Sequence, residues 1–585
     1  MERSGLARWL LIGLAVFLAI TFLPKLFGKG GSSERQPLKF EGSAVPAERK
    51  PEALCDIWGP KYHAQITSQG ASLKHFFLNT AKYQHDGKAI DLATTPDVES
   101  RRQLRFNFRN DAIQPGDGWQ VDFDDLDYEL VKADGRSCEL VYRDAKVELR
   151  RTIRATERPY ELDVEATLTN LSDKKLRHAT TVQTVAWRTE NEVKGGMFRV
   201  SPFATHVECI SDSGSATRLR PPDFAGDKFK GEEFAGPLNP GDWHELKKHA
   251  GYGAVSNAYF SHALVPTSAP GPAPPVCQLQ IEDRWDTARY KSKADDPNGG
   301  SMYRARLAYA AVELAPKESA TYSVVTFAGP KERDALAGVG GGKHNLTELI
   351  DLGFFSVIAK VLVAFLLKVH GVFPNWGLAI IIFTFIVRLI LFPLAIPSIK
   401  SMVKMRELKP ELDALTEKFK NDAQAKGLAQ MELWRKHKVN PLKGCLPQLA
   451  SMPVWFALYT TLQTAVELYN IPFLWFPDLS QPDRFFVLPF IIGATNFMQQ
   501  KLMPMQGDPA QQKMMLYVMP AMFTVFMLFL PSGLGVYMFT NGVLTILQQQ
   551  VVERHVKRQT AKADAEKKSR EIGVKIKEQG AREPS

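Results

Sequence analysis

Two hydrophobic rhythms divide this chain. From residue 53 to about 335, apolar and polar residues alternate in short runs, among them Leu104-Arg-Phe-Asn-Phe-Arg109, Lys146-Val-Glu-Leu-Arg-Arg-Thr-Ile-Arg154 and Tyr160-Glu-Leu-Asp-Val-Glu-Ala-Thr-Leu-Thr169. Val276-Cys-Gln-Leu-Gln-Ile281 and Ala320-Thr-Tyr-Ser-Val-Val-Thr-Phe327 continue the pattern. A period of two sends every second side chain to the same face, so each run predicts a strand with one buried and one solvated side. Gly, Pro, Asp and Asn between the runs supply turns, and together they predict a large antiparallel β-sandwich. From about 353 to 552 the alternation gives way to long apolar blocks: Trp376–Pro397, then 444–465, 485–503, 514–530 and 533–552. Each approaches the roughly 20 apolar residues that cross a bilayer as a helix.

The N-terminus sets Arg3 and Arg8 before an apolar run that ends near Leu23. No small-x-small cleavage pattern follows, so residues 1–27 read as an uncleaved signal anchor with its N-terminus inside. Residues 28–52, rich in Gly, Ser, Pro and charge, read as a flexible linker. Ala337-Gly-Val-Gly-Gly-Gly-Lys-His-Asn345 reads as a hinge, 336–352, between the sandwich and the membrane part. Its Gly-Lys is not a phosphate loop, because Ala337 stands where the first Gly is required and His344 where Ser or Thr is.

Charge orders the crossings. The 585 residues carry a formal net charge of +10 at a mean hydropathy of −0.18. Eleven Lys/Arg stand against six Asp/Glu from Ser398 to Lys443, and ten against six from Glu553 to Ser585. Basic segments flanking apolar spans stay on the cytoplasmic side. With the N-terminus and 398–443 both inside, an even number of spans separates them. The anchor and the Trp376 block supply these, and 353–370, with Lys360 and Lys368, reads as an amphipathic helix in the interface. The expected fold is a multi-domain membrane protein. It has six α-helical spans, both termini inside, a core at 371–552, the sandwich at 53–335 outside and a basic tail at 553–585. Within 398–443, Met402, Met405, Leu408, Leu412, Leu415 and Phe419 recur three or four apart, and Leu428, Met431 and Trp434 resume after a break at 421–427. Two amphipathic helices folded as a hairpin fit that spacing.

Enzyme and metal signatures are weak. Cys55, Cys138, Cys209 and Cys277 fall in the alternating region and Cys445 in the membrane part, with no Cys-x-x-Cys and no zinc spacing. Four cysteines can pair in three ways, unpaired burial is an equal reading, and no disulfide is assigned. His244-Glu-Leu-Lys-Lys-His249 misses the zinc motif by one residue, and no Gly-x-Ser-x-Gly elbow occurs. No catalytic residue, metal or cofactor is expected.

Arg388 is the residue that asks for an explanation. A guanidinium in a spanning block costs about 2.5–3.5 kcal/mol on insertion scales and does not deprotonate. Snorkelling explains it poorly, since Trp376 and Lys400 mark the interfaces twelve residues away on either side, about 18 Å at 1.5 Å per residue. Thr384 lies one turn before it on the same face. Gln448 and Ser451 fall in the cytoplasmic half of the third span, Asn496, Gln499 and Gln500 late in the fourth, and Asn541 in the last. Polar residues gathered in one half of the membrane predict a shared polar cavity, with hydrogen bonds between spans as the plain alternative. A proton- or ion-coupled transporter would set Asp or Glu opposite the arginine, and the spans contain none.

Asn375-Trp-Gly-Leu-Ala-Ile-Ile-Ile-Phe-Thr-Phe-Ile-Val-Arg388 through Pro393, Val439-Asn-Pro-Leu-Lys-Gly-Cys445, Met452-Pro453, Pro531-Ser-Gly533 and Gln548-Gln-Gln550 resemble the YidC/Oxa-type insertase family. The resemblance is to the form with a large periplasmic domain. It implies a periplasmic β-supersandwich and a five-span insertase core, with a hydrophilic groove open to the cytoplasm and to lipid. On this resemblance Arg388 is the groove arginine, Thr384 lines the groove, Met452 and Pro453 touch passing substrate, and Tyr537 is an aromatic of the last span. Gln448, Ser451, Asn496 and Gln500 complete the candidate groove. The implied work is insertion and chaperoned folding of inner-membrane proteins, alone or with the Sec translocon. Implied partners are nascent membrane proteins, Sec components, membrane lipids and the ribosome. The ribosome would meet the hairpin and Arg554, Lys557, Arg558, Lys567 and Lys568 of the tail. The alternative is a periplasmic carbohydrate-binding or envelope assembly protein anchored by membrane helices.

Overall fold

The computed structural model describes residues 49–580 apart from 86, 96–101, 110–125, 194–200, 202, 226–233, 235–237, 239–240, 272, 420–421, 438–440 and 503–511. The signal anchor at 1–27 and most of the linker lie outside the described residues, as do the side chains of 441–451 and most of those beyond 559. The chain divides into a sheet unit, 31–351 with 464–470, and a helical unit comprising the remainder.

The sheet unit holds eighteen strands among the described residues, thirteen of them in one sheet. Glu161–Asn170 lies antiparallel between Val147–Ala155 and Ser319–Pro330, and Leu176–Thr189 pairs with Gly300–Leu314. The predicted alternation is visible in burial: Leu162, Val164, Ala166 and Leu168 are inside, while Asp163, Glu165 and Thr167 are only half covered. Arg151 occupies an inward position of its strand. Its guanidinium lies 4.7 Å from the Phe106 ring, 5.7 Å from Phe108 and 5.6 Å from Tyr128, and Nη2 donates to the Phe106 carbonyl at 2.8 Å. Aromatic faces and a carbonyl make that buried charge tolerable.

The cysteines are where the sequence reading stopped short. Cys55 is bonded to Cys138 and Cys209 to Cys277, with Cα separations of 6.1 and 6.2 Å. Both bonds join strands distant in sequence, a pairing that spacing alone does not encode.

Of residues 336–352, expected as a hinge, 336–351 belong to the sheet unit and are packed onto the sheet. Leu336, Val339, Leu346 and Leu349 are buried, the Gly340 N–H donates to Glu161 Oε2 at 3.0 Å, and Lys331 Nζ donates to the Leu349 carbonyl at 2.7 Å. Gly340 and Gly341 sit at φ 60° and 75°, so the glycine run serves a tight left-handed turn.

Thr464–Asn470 also belongs to the sheet unit. Val466 and Leu468 are fully buried. The Tyr469 ring lies 5.9 Å from Tyr83, 5.3 Å from Tyr259 and 5.7 Å from Phe260. Glu467 pairs with Arg333 at 3.4 Å, and Asn470 Nδ2 donates to the carbonyls of Lys82 and Gln84, each at 3.2 Å.

The helical unit contains α1 (Ser356–Val372), α2 (Trp376–Glu407), α3 (Lys409–Lys418), α4 (Ala423–Lys436), α5 (Pro441–Thr464), α6 (Val487–Leu502), α7 (Met519–Met527) and α8 (Ser532–Gly580). Among the described residues one stretch, Trp376–Pro393, is long and apolar enough to cross a membrane by composition alone, and Met514–Met527 is a shorter apolar helix. Ala359, Val363, Leu366 and Val369 form the buried stripe of α1, while Val357, Val361 and Val372 face outward.

The hairpin begins later than its pattern suggested. Ser398–Glu407 is the end of α2, which runs on through Pro393 and Pro397. The break falls at 419–422 instead of 421–427, because Asp422 caps α4 by accepting from the N–H groups of Gln424 at 3.0 Å and Ala425 at 2.9 Å. Gly427 is inside α4. The basic tail continues α8 without interruption to Gly580, as its Ala, Glu, Lys and Arg content favours.

Candidate functional site

Asn375 starts α2 by accepting from the Leu378 N–H at 3.0 Å. Three turns on, half-buried Arg388 turns toward α8, where its Nε donates to Asn541 Oδ1 at 2.6 Å. Gln548, two turns after Asn541 on the same face, donates from Nε2 to the Arg388 carbonyl at 3.2 Å. Tyr537, buried in α8, lies within electrostatic reach of the guanidinium. The two terminal nitrogens of Arg388 make no hydrogen bond among the described residues. A neutral amide therefore orients the arginine without neutralising it.

Contacts progress along α2 and α8 in the same sense. After Arg388 with Asn541 comes an apolar cluster of Ile399, Val403, Val552 and Val556, then Arg406 with Glu553 at 2.9 Å. The two helices run parallel. α6 runs parallel to α8 as well: a Cβ on Gly535 would stand 2.5 Å from Leu488, one on Gly542 2.8 Å from Thr495, and Gln549 reaches the Leu502 carbonyl at 3.0 Å. Glycine at 535 and 542 is what allows this approach. Gln499 of α6 spans the same gap by donating to the Gly542 carbonyl at 2.9 Å.

The other expected residues scatter around this centre. Thr384 is 1% exposed, and its hydroxyl donates to its own helix at the Ile380 carbonyl, 2.6 Å away. Met452 on α5 is 40% exposed and Pro453 is half-buried. Asn496 and Gln500 are half-buried on α6. Gln448 and Ser451 lie on α5 with side chains outside the description. Of the tail residues, Arg554, Lys557 and Arg558 are exposed on α8, with Lys557 3.0 Å from Glu553, and the side chains of Lys567 and Lys568 are outside the description. The structure thus brings Arg388 and Tyr537 together. It adds Asn541 and Gln548 as direct partners, which the sequence reading had noted only as a polar residue and part of a motif. Their spacing of seven, two turns on one helix face, was the available signal.

Among the described residues no group of three or more His, Cys, Asp or Glu side chains is placed to hold a metal ion. Family models match most of the chain: "60Kd inner membrane protein" over residues 368–560 and "YidC periplasmic domain" over 55–365. A membrane protein insertase YidC from Anaeromyxobacter sp. (strain K) is 34% identical over 519 residues, covering 86% of each chain. One from Geobacter sp. (strain M21) is 46% identical over 246 residues, 42% of this chain and 45% of its own. A crystal structure of an active YidC insertase with its first transmembrane domain overlaps 93% of this chain and 99% of its own at 17% identity and a TM-score of 0.35.

Proposed function

The chain belongs to the YidC family of membrane protein insertases, and we propose that Arg388 receives the polar, often acidic, end of a membrane protein while its apolar span passes into lipid. The physical difficulty of insertion is lopsided. An apolar span of about 20 residues enters lipid favourably. A charged tail does not, at about 2.5–3.5 kcal/mol per residue on insertion scales. A polar cavity reaching part-way through the bilayer shortens that climb, and a guanidinium in it offers a carboxylate hydrogen bonds of about 1.5–3 kcal/mol. The hold is brief, because the membrane potential draws a negative tail outward with about 2.3 kcal/mol per charge per 100 mV. The span itself leaves along α5 and α8, past Met452 and Pro453.

The observation that carries this reading is the state of Arg388. One nitrogen is fixed by Asn541 at 2.6 Å, and the terminal fork makes no hydrogen bond among the described residues. The parallel course of α2, α6 and α8 supports five alternating spans, with α5 and α7 returning between them, and the N-terminal anchor adds a sixth. The basic segments 398–443 and 553–585 then face the cytoplasm. In the same reading the protein works alone or beside a Sec-type translocon, helps its clients fold and meets lipid. Its exposed Arg554, Lys557 and Arg558 favour ribosome contact at low salt; ribosome co-sedimentation unchanged after deletion of 556–585 would remove the tail from that role.

The direct test places a photo-crosslinking amino acid at Met452 and supplies ribosomes stalled on a short single-span membrane protein. A crosslink to the nascent span, absent with a soluble nascent chain, is the expected result. No crosslink from Met452, nor from Thr384 as a second position, would reduce the polar residues around Arg388 to helix packing.

A further inference from the structure

At the far end of α2 from Arg388, three helices meet at one backbone carbonyl. Leu502 is the last residue of α6, and its carbonyl lacks a partner within that helix. Arg406 of α2 donates to it from Nη2, and Gln549 of α8 donates from Nε2 at 3.0 Å. The other terminal nitrogen of Arg406 donates to both oxygens of Glu553 on α8, at 2.9 and 3.0 Å, and Lys557 flanks Glu553 at 3.0 Å. Gln549 is buried, and Val552 and Val556 pack on Ile399 and Val403 beside this cluster.

The place of the cluster along α2 gives it a task. Arg388 and Arg406 are separated by eighteen residues, about 27 Å at 1.5 Å per residue. Between them stand Pro393 and Pro397, which remove two N–H donors and leave the carbonyls of Leu389 and Pro393 without their helical partners. Prolines of this kind are where helices bend. Beyond them Ile399 and Val403 pack on Val552 and Val556 of α8, an apolar contact that is not directional, so without a directional bond α6, which carries Asn496 and Gln500, would lose its fixed distance to α2. Holding the second end restores one geometry.

We propose that Arg406, Glu553 and Gln549 are positioning residues: together they clamp α2, α6 and α8 at the cytoplasmic end and hold Arg388 in the register at which it receives a carboxylate. The inference rests on the tail-receiving role of Arg388, so the test includes a variant that judges that role separately. Insertion is measured per molecule of reconstituted protein for two single-span substrates that differ only in an acidic or a neutral tail. Arg388→Ala should lower the acidic substrate selectively. Glu553→Gln and Arg406→Gln should do the same more weakly, about three- to tenfold. Arg406→Lys, which keeps a cation facing Glu553 and a donor for the Leu502 carbonyl, should recover most of the loss, and it also guards against single variants that fail to fold. If Arg388→Ala discriminates between tails but Glu553→Gln lowers both equally or neither, the clamp is structural and the proposal falls while the Arg388 reading stands. If Arg388→Ala does not discriminate, the reading and the proposal fall together.

Discussion

The two units bury charge in different company. In the sheet unit Glu208 lies 2.8 Å from Arg218 and 3.4 Å from His206, Arg218 also faces Asp351, Lys331 is seated on a carbonyl, and Arg151 is ringed by aromatic faces. In the helical unit Arg388 has a neutral amide at one nitrogen, and its opposite-charge pairs lie farther along, at Arg406 and Glu553. Buried charge that serves folding is matched by opposite charge or by polarisable neighbours, because an unmatched one is costly. Under the proposed function, a charge that is oriented but not paired among the described residues is the site that receives a carboxylate. On this contrast the sheet unit matches its buried charges internally, and the helical unit leaves the Arg388 fork without a hydrogen bond among the described residues.

Breaking the covalent ties of the sheet unit should have the largest effect. The disulfides Cys55–Cys138 and Cys209–Cys277 close separations of 83 and 68 residues, and loss of either costs about 4 kcal/mol by chain entropy. Alanine at both cysteines of a pair should lower the sheet unit's thermal transition steeply while insertion at 25 °C persists. Insertion falling in step with melting would erase the division of labour. Next, Arg388→Ala should cut insertion of acidic-tailed substrates about ten- to a hundredfold, the worth of a charge-assisted bond, and Arg388→Lys only a few-fold. Equal insertion by all three proteins in vesicles would end the carboxylate-receiving role.

A smaller change sharpens the contrast from the helical side. Gly542→Val pushes a branched side chain toward Thr495, at a cost of about 1–3 kcal/mol, and should reduce insertion without moving the sheet transition. The smallest effect expected is that of acid on the sheet unit. Burial pushes His178 and His262 down to about 4, with Arg188 adding at His262, so the unfolded chain binds these protons first, and stability falls as pH drops from 6.5 toward 4. Burial pushes Glu282 up to about 7, Asp283 adding and Arg304 opposing, so its proton binds first in the folded state and acid stabilises it there. Two histidines outweigh one carboxyl between pH 7 and 5, and His206, which burial also holds down, adds to the loss. Melting curves at the two pH values check the sign, and Glu282→Gln should deepen the loss.

Alternation made the strands legible because a half-buried sheet writes its register directly into sequence, as at Leu162, Val164, Ala166 and Leu168. Arg151 shows the limit: it stands at an inward position, and the three rings and the Phe106 carbonyl that meet it in space explain its presence. Arg388 announced itself by cost alone, whereas its partner Asn541, 153 positions away, looked like any polar residue of an apolar block. Cysteine pairing and the ring contacts of Tyr469 are likewise decided by chain segments far apart in sequence. The hairpin starts later than 398 because the apolar run ends at Pro397 and the charged segment begins after it, yet the helix itself continues through Pro393 and Pro397 to Glu407.

The inclusion of Thr464–Asn470 in the sheet unit also sets a timetable. A ribosome that has finished residue 351 has made every strand described in the sheet unit, but not the segment that buries Val466 and Leu468 and sets the Tyr469 ring against Tyr83, Tyr259 and Phe260. At about 5–20 residues per second that segment arrives roughly 6–23 s later, after α1, α2, the hairpin and α5 have been synthesised. The sheet unit is therefore born incomplete, and its last piece is delivered only when the first half of the helical unit has been synthesised.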